Sequence, residues 1–270
     1  MQDGSVSWLY SAERMTELPL GLIGVAIGTV ILPSLSARHA EQDQTKFRGM
    51  LDWAARVIML VGIPASIALF MLSTPIIQAL FERGEFTWED TRMTALALQC
   101  MSAGVIAFML IKVFAPGFYA QQDTKTPVRV GLIAVATNAI LNIVFIGFFK
   151  LINWHAEHMA LALASSGSAL ANAGLLYYYL HKRNIFRFGS HWKKLFIQFV
   201  VANTIMATAL WFGLQWYNGE LSQWLRVAEV AGLCIVGVLA YAVGLLISGF
   251  HPRQLLSLIH ISEPTRQEAI

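Results

Sequence analysis

The stretch VAEVAGLCIVGVLAYAVGLLISGF, residues Val227–Phe250, contains one charged side chain, Glu229. An α-helix needs about 20 mainly apolar residues to cross the hydrocarbon core of a bilayer, so this stretch is long enough to span it. Six further stretches of this kind occupy most of the chain: Leu18–Leu35, Val57–Leu80, Met93–Phe118, Val128–Phe149, Met159–Leu180 and Leu195–Trp216. The sequence therefore predicts an all-α polytopic membrane helix bundle with about seven transmembrane helices.

The composition favours the same class of protein. Hydrophobic residues make up 56% of the chain, charged residues only 13%, and the mean hydropathy is +0.57. A soluble domain carries about 25% charged residues. Seven helices that are apolar on all sides would leave a soluble protein too few polar faces to meet water. The net charge of +3 is spread over connecting segments and does not indicate a nucleic-acid site.

The connecting segments alternate in their content of lysine and arginine. Segments 36–56 and 181–194 contain four and five of these residues, and the third connection contains Lys125. The segments between them, 81–92, 150–158 and 217–226, are acidic or nearly uncharged. Basic connections stay in the cytoplasm. We therefore expect an N-terminus on the periplasmic side and a C-terminus in the cytoplasm.

Both ends of the sequence prompt an expectation. A chain that starts outside without a signal peptide is expected to continue a longer protein, so that Met1 is an internal residue preceded by further helices. At the other end, SLIHISEPTRQ resembles a translated sequencing adapter. We expect residues 256–270 to be a non-native tail; a short cytoplasmic tail is the alternative.

The most conspicuous charged residues stand at the mouth of the first span. Arg14 and Glu17 are three positions apart, so they share a helical face and can pair, and Pro19 can bend the helix directly after them. Ionisable residues at a span are costly and commonly functional. They could line a water-filled cavity for an anionic substrate such as a phosphate. The alternative is an ion pair at the membrane surface.

Polar and small residues in later spans suggest helix contacts. Asn138 and Asn142 lie four apart on one face of the fourth span, where amides usually join neighbouring helices; a polar or monovalent-ion site is the alternative. Small residues allow close packing in Gly24-x-x-x-Gly28 and throughout Ser165–Gly174.

Enzymatic machinery is not visible. His155 and His158 form an HxxH pair without an obvious third ligand, and no P-loop or GxSxG motif occurs. We therefore predict no metal site, no cofactor and no catalytic residue. Transport by such a chain would draw on an ion gradient, the membrane potential or mass action.

Three strings carry a resemblance to a known family. They are GSVSWLYSAERMTELPLGLIGVAIGTVILPSLS at 4–36, LDWAARVIMLVGIPASIAL at 51–69 and KVFAPGFYAQQDTKTPVRV at 112–130. Together they closely resemble the second half of the MurJ (MviN) family, bacterial lipid II flippases of the multidrug/oligosaccharidyl-lipid/polysaccharide exporter superfamily. The resemblance runs from about Gly4 to Arg253.

The resemblance implies an architecture and an activity. A member has fourteen helices in two six-helix lobes plus two C-terminal helices, so these seven would be the last half. Residues 1–181 would complete the second lobe, and 182–255 would form the two extra helices, which hold a polyprenyl tail. The implied activity is alternating-access transfer of lipid II from the inner to the outer leaflet of the bacterial inner membrane.

The resemblance also implies roles for particular residues. Arg14 falls on the arginine of the family motif A-(D/E)-R-x-x-E-(F/L)-P, which lines a cationic cavity, and Glu17 on its acidic partner. The implied partners are lipid II and membrane lipids, with coupling to a monovalent ion or to the membrane potential. The alternative function is export of another polyprenyl-linked oligosaccharide, or drug/cation antiport, although no span carries a central Asp or Glu.

Overall fold

The computed structural model describes residues 4–152, 157–189 and 191–250. In this part of the chain every regular element is a helix. The order is α1 (Ser5–Pro19), a π-helical segment (Leu20–Val25), α2 (Ala26–Ala40), α3 (Gln44–Met71), α4 (Ser73–Phe81), α5 (Trp88–Tyr119), α6 (Lys125–Leu151), α7 (Glu157–Lys182), α8 (His191–Leu214) and α9 (Gln223–Ile247). Six of these helices, α3 and α5 to α9, are long and apolar enough to cross a membrane.

The first predicted span, Leu18–Leu35, is a bent pair of helices. The segments Ser5–Leu22 and Ala26–Ala40 meet at 43°, across the π-helical segment that begins directly after Pro19. Proline removes a backbone donor, and a π-helical segment is a usual place for a kink. The chain therefore bends a few residues after Pro19, between Leu22 and Ala26, and not at the proline itself. Counted as one span, the pair raises the total to seven.

The limits predicted for the second span, Val57–Leu80, are wrong. Helix α3 begins much earlier, at Gln44, where the carboxylate of Asp43 accepts a hydrogen bond of 2.9 Å from the backbone N–H of Lys46. It ends at Met71, and the short helix α4 follows as a separate element. Pro75 lies in the first turn of α4, where a missing N–H breaks no helical hydrogen bond.

Helices α5 to α9 agree with the other five predictions, and each begins a few residues before its apolar stretch. Helix α5 shows why. Thr87 and Asp90 form a capping box, in which the Thr87 hydroxyl accepts from the backbone of Asp90 and the Asp90 carboxylate accepts from the backbone of Thr87. Capping satisfies the free N–H groups of the first turn, so the helix extends beyond the apolar core of the span.

The small-residue face of α7 packs closely, as expected. Helix α7 lies between α5 and α6. A Cβ added at Gly104 of α5 would lie 2.9 Å from Cα of Ser166, and the Ser166 hydroxyl donates to the carbonyl of Cys100 over 2.7 Å. Nothing lies within 4 Å of a Cβ added at Gly28, so the GxxxG pattern of the first span does not mark a close contact at that glycine.

Helices α8 and α9 form a hairpin that packs on the rest of the bundle. A Cβ added at Gly244 would lie 2.7 Å from Cα of Ala202, which shows how closely the two helices approach. Helix α8 contacts α3, and α9 contacts α4. The hydroxyl of Tyr241 donates to the carbonyl of Leu60 over 2.7 Å and joins α9 to α3.

Candidate functional site

The guanidinium of Arg14 lies against Tyr10, one helical turn earlier on α1. Its Cζ is 4.6 Å from the centre of the Tyr10 ring, and it donates a hydrogen bond to the Tyr10 hydroxyl. The contact is therefore both a cation–π interaction and a hydrogen bond. The side chain of Arg14 is exposed, so its charge remains accessible to a ligand.

The pairing of Arg14 with Glu17 that the sequence suggested is not made: among the residues described, no ion pair joins the two. Side chains on an α-helix point towards its N-terminus. Arg14 consequently reaches back to Tyr10, away from Glu17. The sequence spacing allows Arg14 to contact either Tyr10 or Glu17. A search for opposite charges finds only Glu17, because Tyr10 is uncharged.

Glu17 lines a cavity of about 350 Å³ between α1, α5 and α7, whose surface is mainly apolar with a polar part. Its polar lining comes from Glu13, Thr16 and Glu17 on α1 and from Ser165 and Ser166 on α7, and the remaining wall is apolar: Leu9, Leu20, Met101, Phe108 and Leu161. Arg14 does not line this cavity, because it lies on the neighbouring face of the same helix. The two predicted site residues are thus close in sequence but face different directions.

Of Asn138 and Asn142, only Asn138 makes the predicted contact between helices, whereas Asn142 bonds to Asn138 within α6. Asn138 donates to the hydroxyl of Ser168 on α7 over 3.3 Å, and Asn142 donates to the amide oxygen of Asn138 over 3.0 Å. The amide oxygen of Asn142 is buried and has no hydrogen-bond partner. An unpartnered buried acceptor is costly, and it is the kind of oxygen that a cation can use.

Only the second histidine of the HxxH pair is among the described residues. His155 lies outside the described residues. His158 is buried, its Nε2 lies 3.0 Å from the carbonyl of Met93, and its ring packs edge-on against Trp8 at 5.0 Å. Within residues 4–152, 157–189 and 191–250, no group of three metal-ligating side chains comes together.

Sequence reasoning missed a polar network between α4 and the α8–α9 connection. Arg226 donates to Glu82 over 2.9 Å, and the hydroxyl of Tyr217 donates to the side chain of Gln78 over 3.0 Å. Burial raises the pKa of Tyr217, which keeps its hydroxyl protonated as a donor. The one available signal was that Glu82 and Arg226 carry opposite charges in segments predicted on the same side of the membrane.

A second network fixes the α5–α6 connection. The carboxylate of Asp123 accepts hydrogen bonds from the backbone and the hydroxyl of Thr126, at 3.0 and 2.6 Å, and pairs with Arg183 at 2.7 Å. The hydrogen bond from the Thr126 hydroxyl is the largest cause that lowers the pKa of Asp123, to about 2; burial opposes it, and the Thr126 backbone and Arg183 lower the pKa further. The connection is therefore a capped turn joined to the end of α7.

Comparison with known proteins decides the family. The model of the family described as lipid II flippase MurJ matches residues 1–232. The chain belongs to the MurJ family. A probable lipid II flippase MurJ of Vibrio cholerae is 40% identical over 259 residues, which are 94% of this chain and 48% of that protein. A lipid II flippase MurJ of Burkholderia cenocepacia is 36% identical over 250 residues, 92% of this chain and 47% of that protein.

A solved MurJ structure has the same fold. The chain matches a structure described as lipid II flippase MurJ in an inward closed conformation, with a TM-score of 0.73 and 26% sequence identity over 94% of this chain and 49% of that one. The chain thus spans about half the length of the MurJ relatives that it matches. Its apolar helices and its family make it a multi-pass protein of the inner membrane.

Proposed function

We propose that this chain is part of a lipid II flippase and provides one wall of the path along which the headgroup crosses the membrane. The observation that carries the proposal is the position of Arg14. It is exposed on α1, on the face next to a cavity whose polar part includes Glu13 and Glu17, and no carboxylate within the described ranges pairs with it. Its family motif is intact, from Ala12 to Pro19.

The chemistry of Arg14 suits a pyrophosphate. A guanidinium keeps its charge and donates two parallel hydrogen bonds to phosphate oxygens. The contact with Tyr10 limits the motion of the side chain, so less entropy is lost when a ligand binds. Glu13, Glu17, Thr16 and Ser165 supply acceptors and hydroxyls for the sugar portion of the headgroup on the adjoining face.

An apolar hollow supports a place for the hydrocarbon tail. It has a volume of about 220 Å³ and is lined by α1, α3, α4 and α9, with Leu18, Pro19, Leu80, Val227 and Val230 among its walls. It lies between the end of α1 and the first turns of α9. In this proposal residues 1–181 form the headgroup-binding lobe, and residues 182–255, which include α8 and α9, guide the polyprenyl chain.

Orientation and energy coupling complete the proposal. The basic connections face the cytoplasm, so the N-terminus of the chain is periplasmic and its C-terminus cytoplasmic. The unpartnered oxygen of Asn142, next to Asn138, is a candidate ligand for a monovalent ion. The membrane potential is an alternative source of energy, because it acts on each charge with about 2.3 kcal/mol per 100 mV.

The test is complementation of a MurJ-depleted bacterium by the full-length gene that contains this chain. The variants are Arg14→Ala and Arg14→Lys, with Arg92→Ala as the control, because Arg92 is also an exposed arginine and its ion pair with Glu89 is long, at 3.7 Å. At equal membrane abundance we expect rescue by the native gene and the control, and loss of rescue with Arg14→Ala.

Other outcomes separate the alternatives. Rescue by Arg14→Ala would show that Arg14 is a surface residue that the substrate does not need, and the assignment as a flippase would stand. Failure of a well-expressed native gene would overturn the proposal and favour export of a different polyprenyl-linked oligosaccharide or drug/cation antiport. Arg14→Lys keeps the charge but not the fork of donors, so we expect it to rescue only in part.

A further inference from the structure

A basic cavity of about 550 Å³ opens at the opposite end of the bundle from the α4–Arg226 network. It lies where the beginning of α3, the segment after α7 and the beginning of α8 meet. Its lining consists of Arg48, Gly49, Asp52, Asn184, Ile185, Phe186, Arg187 and His191. The sequence places these elements on the cytoplasmic side.

The one carboxylate among these lining residues is already used. Asp52 forms an ion pair with Arg56 one turn later on α3, and its Oδ1 accepts a hydrogen bond of 2.6 Å from Nε1 of Trp192. Nε2 of His191 lies 3.4 Å from the same carboxylate and accepts a hydrogen bond of 2.7 Å from Arg56. Asp52 therefore joins α3 to the start of α8 and does not neutralise the rest of the cavity.

Two cations of the lining have no acidic partner within the described ranges. Arg48 lies one turn before Asp52 on the same face of α3, and no ion pair of the described residues includes it. Arg187 donates to the neutral amide oxygen of Asn184. Three guanidinium groups, those of Arg48, Arg56 and Arg187, thus stand against the single carboxylate of Asp52.

The backbone presents these two arginines to the cavity from two different segments, α3 and the segment after α7. Asn184 has a positive φ of 55°, which turns the chain back after α7; asparagine adopts this conformation more readily than most residues. The next two side chains, Ile185 and Phe186, are buried in the core, so Arg187 is carried by an anchored segment. Phe186 and Ile185 also give the cavity an apolar floor.

We propose that this cavity binds a phosphate group between Arg48 and Arg187. Arginines on two walls can each donate two hydrogen bonds to phosphate oxygens, and the volume exceeds that of one phosphate, which leaves room for the rest of a headgroup. The group belongs either to an anionic phospholipid of the cytoplasmic leaflet or to a soluble phosphate. The site is separate from Arg14 and does not depend on the transported substrate.

The test uses the full-length protein purified in detergent and native mass spectrometry with phosphatidylglycerol, phosphatidylcholine or inorganic phosphate. The variant is Arg48→Gln/Arg187→Gln. The control is Arg129→Gln, which removes one exposed cation from the same predicted side of the membrane but from α6. We expect the double variant to hold phosphatidylglycerol at least tenfold more weakly than the native protein, equivalent to about 1.4 kcal/mol, and the control to bind like the native protein.

The measurements with phospholipids and with inorganic phosphate distinguish the two sources of the phosphate group. If the native protein binds phosphatidylglycerol but not phosphatidylcholine, and the double variant loses this binding, the site binds a lipid headgroup. A rise in melting temperature with inorganic phosphate that needs Arg48 and Arg187 assigns it to a soluble phosphate. Equal binding of both lipids, or equal binding by the native protein and the double variant without any effect of phosphate, would overturn the proposal.

A further variant covers the case in which the double variant does not fold. Gly49 lines the cavity, and nothing lies within 4 Å of a Cβ added there. Gly49→Glu therefore introduces a carboxylate whose Cβ meets no neighbouring atom, and it should weaken binding of the anion, whereas Gly49→Ala should leave it unchanged. Unchanged binding in Gly49→Glu would contradict the site.

Discussion

Arg226, in the first turn of α9, donates a hydrogen bond of 2.9 Å to Glu82, which ends α4 and lies 144 positions earlier in the chain. Only 11% of the Arg226 side chain and 21% of the Glu82 side chain are exposed. The second carboxylate oxygen of Glu82 accepts from the hydroxyl of Thr91 over 3.0 Å. The contact fastens the α8–α9 connection to α4 and α5.

Replacing Arg226 by glutamine should lower the free energy of unfolding by about 2 kcal/mol, because it leaves a largely buried carboxylate without its charged partner. The measurement is thermal unfolding in detergent. Arg92→Gln is the control: both side chains of its ion pair are more than half exposed, so the change should stay within about 0.5 kcal/mol. Equal effects of the two variants would contradict a structural role for the Arg226–Glu82 pair.

Replacing Asp123 by asparagine should destabilise the α5–α6 turn by about 1 kcal/mol, a value reduced because Arg183 is 42% exposed. The folded-state pKa of Asp123, about 2, lies below its ordinary value of 3.8. Its contribution is therefore complete above about pH 4 and is lost as the pH falls through 2. The difference in melting temperature between native protein and variant, measured from pH 2 to 7, should narrow below about pH 4 and be smallest at pH 2. A difference that stays constant down to pH 2 would refute the linkage.

Gly104→Ala should be destabilising because its Cβ would stand 2.9 Å from the backbone of Ser166, closer than real Cβ contacts. Helix α5 or α7 would have to move, at about 1–3 kcal/mol. Gly174→Ala on α7 is the matched control. Nothing lies within 4 Å of its new Cβ, and alanine favours a helix over glycine by about 1 kcal/mol, so this variant should be neutral or stabilising. Opposite signs in thermal unfolding are the expected result.

Tyr10→Phe and Tyr10→Ala separate the two parts of the contact with Arg14. Phenylalanine keeps the ring face and loses the hydroxyl, whereas alanine removes both. In the full-length protein we expect near-native complementation with Tyr10→Phe and reduced complementation with Tyr10→Ala, at equal abundance. Full activity of Tyr10→Ala would show that Arg14 needs no positioning by Tyr10.

Hydropathy located the spans because membrane crossing leaves a long apolar run in the sequence. It misplaced the second one for two physical reasons. Helix α3 begins with a polar turn at Gln44 that has no apolar signature, and Leu72 interrupts the helix inside a continuous apolar run. Pro75 was ambiguous, since a proline inside a long helix and a proline in the first turn of a new helix look the same in a sequence.

The site was predictable only in part. The motif identified Arg14 as a candidate site residue. Its contact with Tyr10 could not be predicted, because it depends on the direction of the side chain, and the spacing of charges does not encode that direction. The Arg226–Glu82 and Asp52–Trp192 contacts join residues 144 and 140 positions apart, and no local pattern reports such a distance. Family membership came from the strings quoted at 4–36, 51–69 and 112–130, which are more specific than hydropathy.

Arg14 lies some distance along α1 from the bend after Pro19, so a change in the angle of the bend displaces its side chain. Leu20, where the π-helical segment begins, is six positions after Arg14, a length of about 9 Å at a rise of 1.5 Å per residue. A change of about 20° at the bend would swing the guanidinium by about 3 Å, which is the difference between a hydrogen bond and no contact. If Arg14 binds an anion as proposed, a small angular change between α1 and α2 would be enough to make or break that contact.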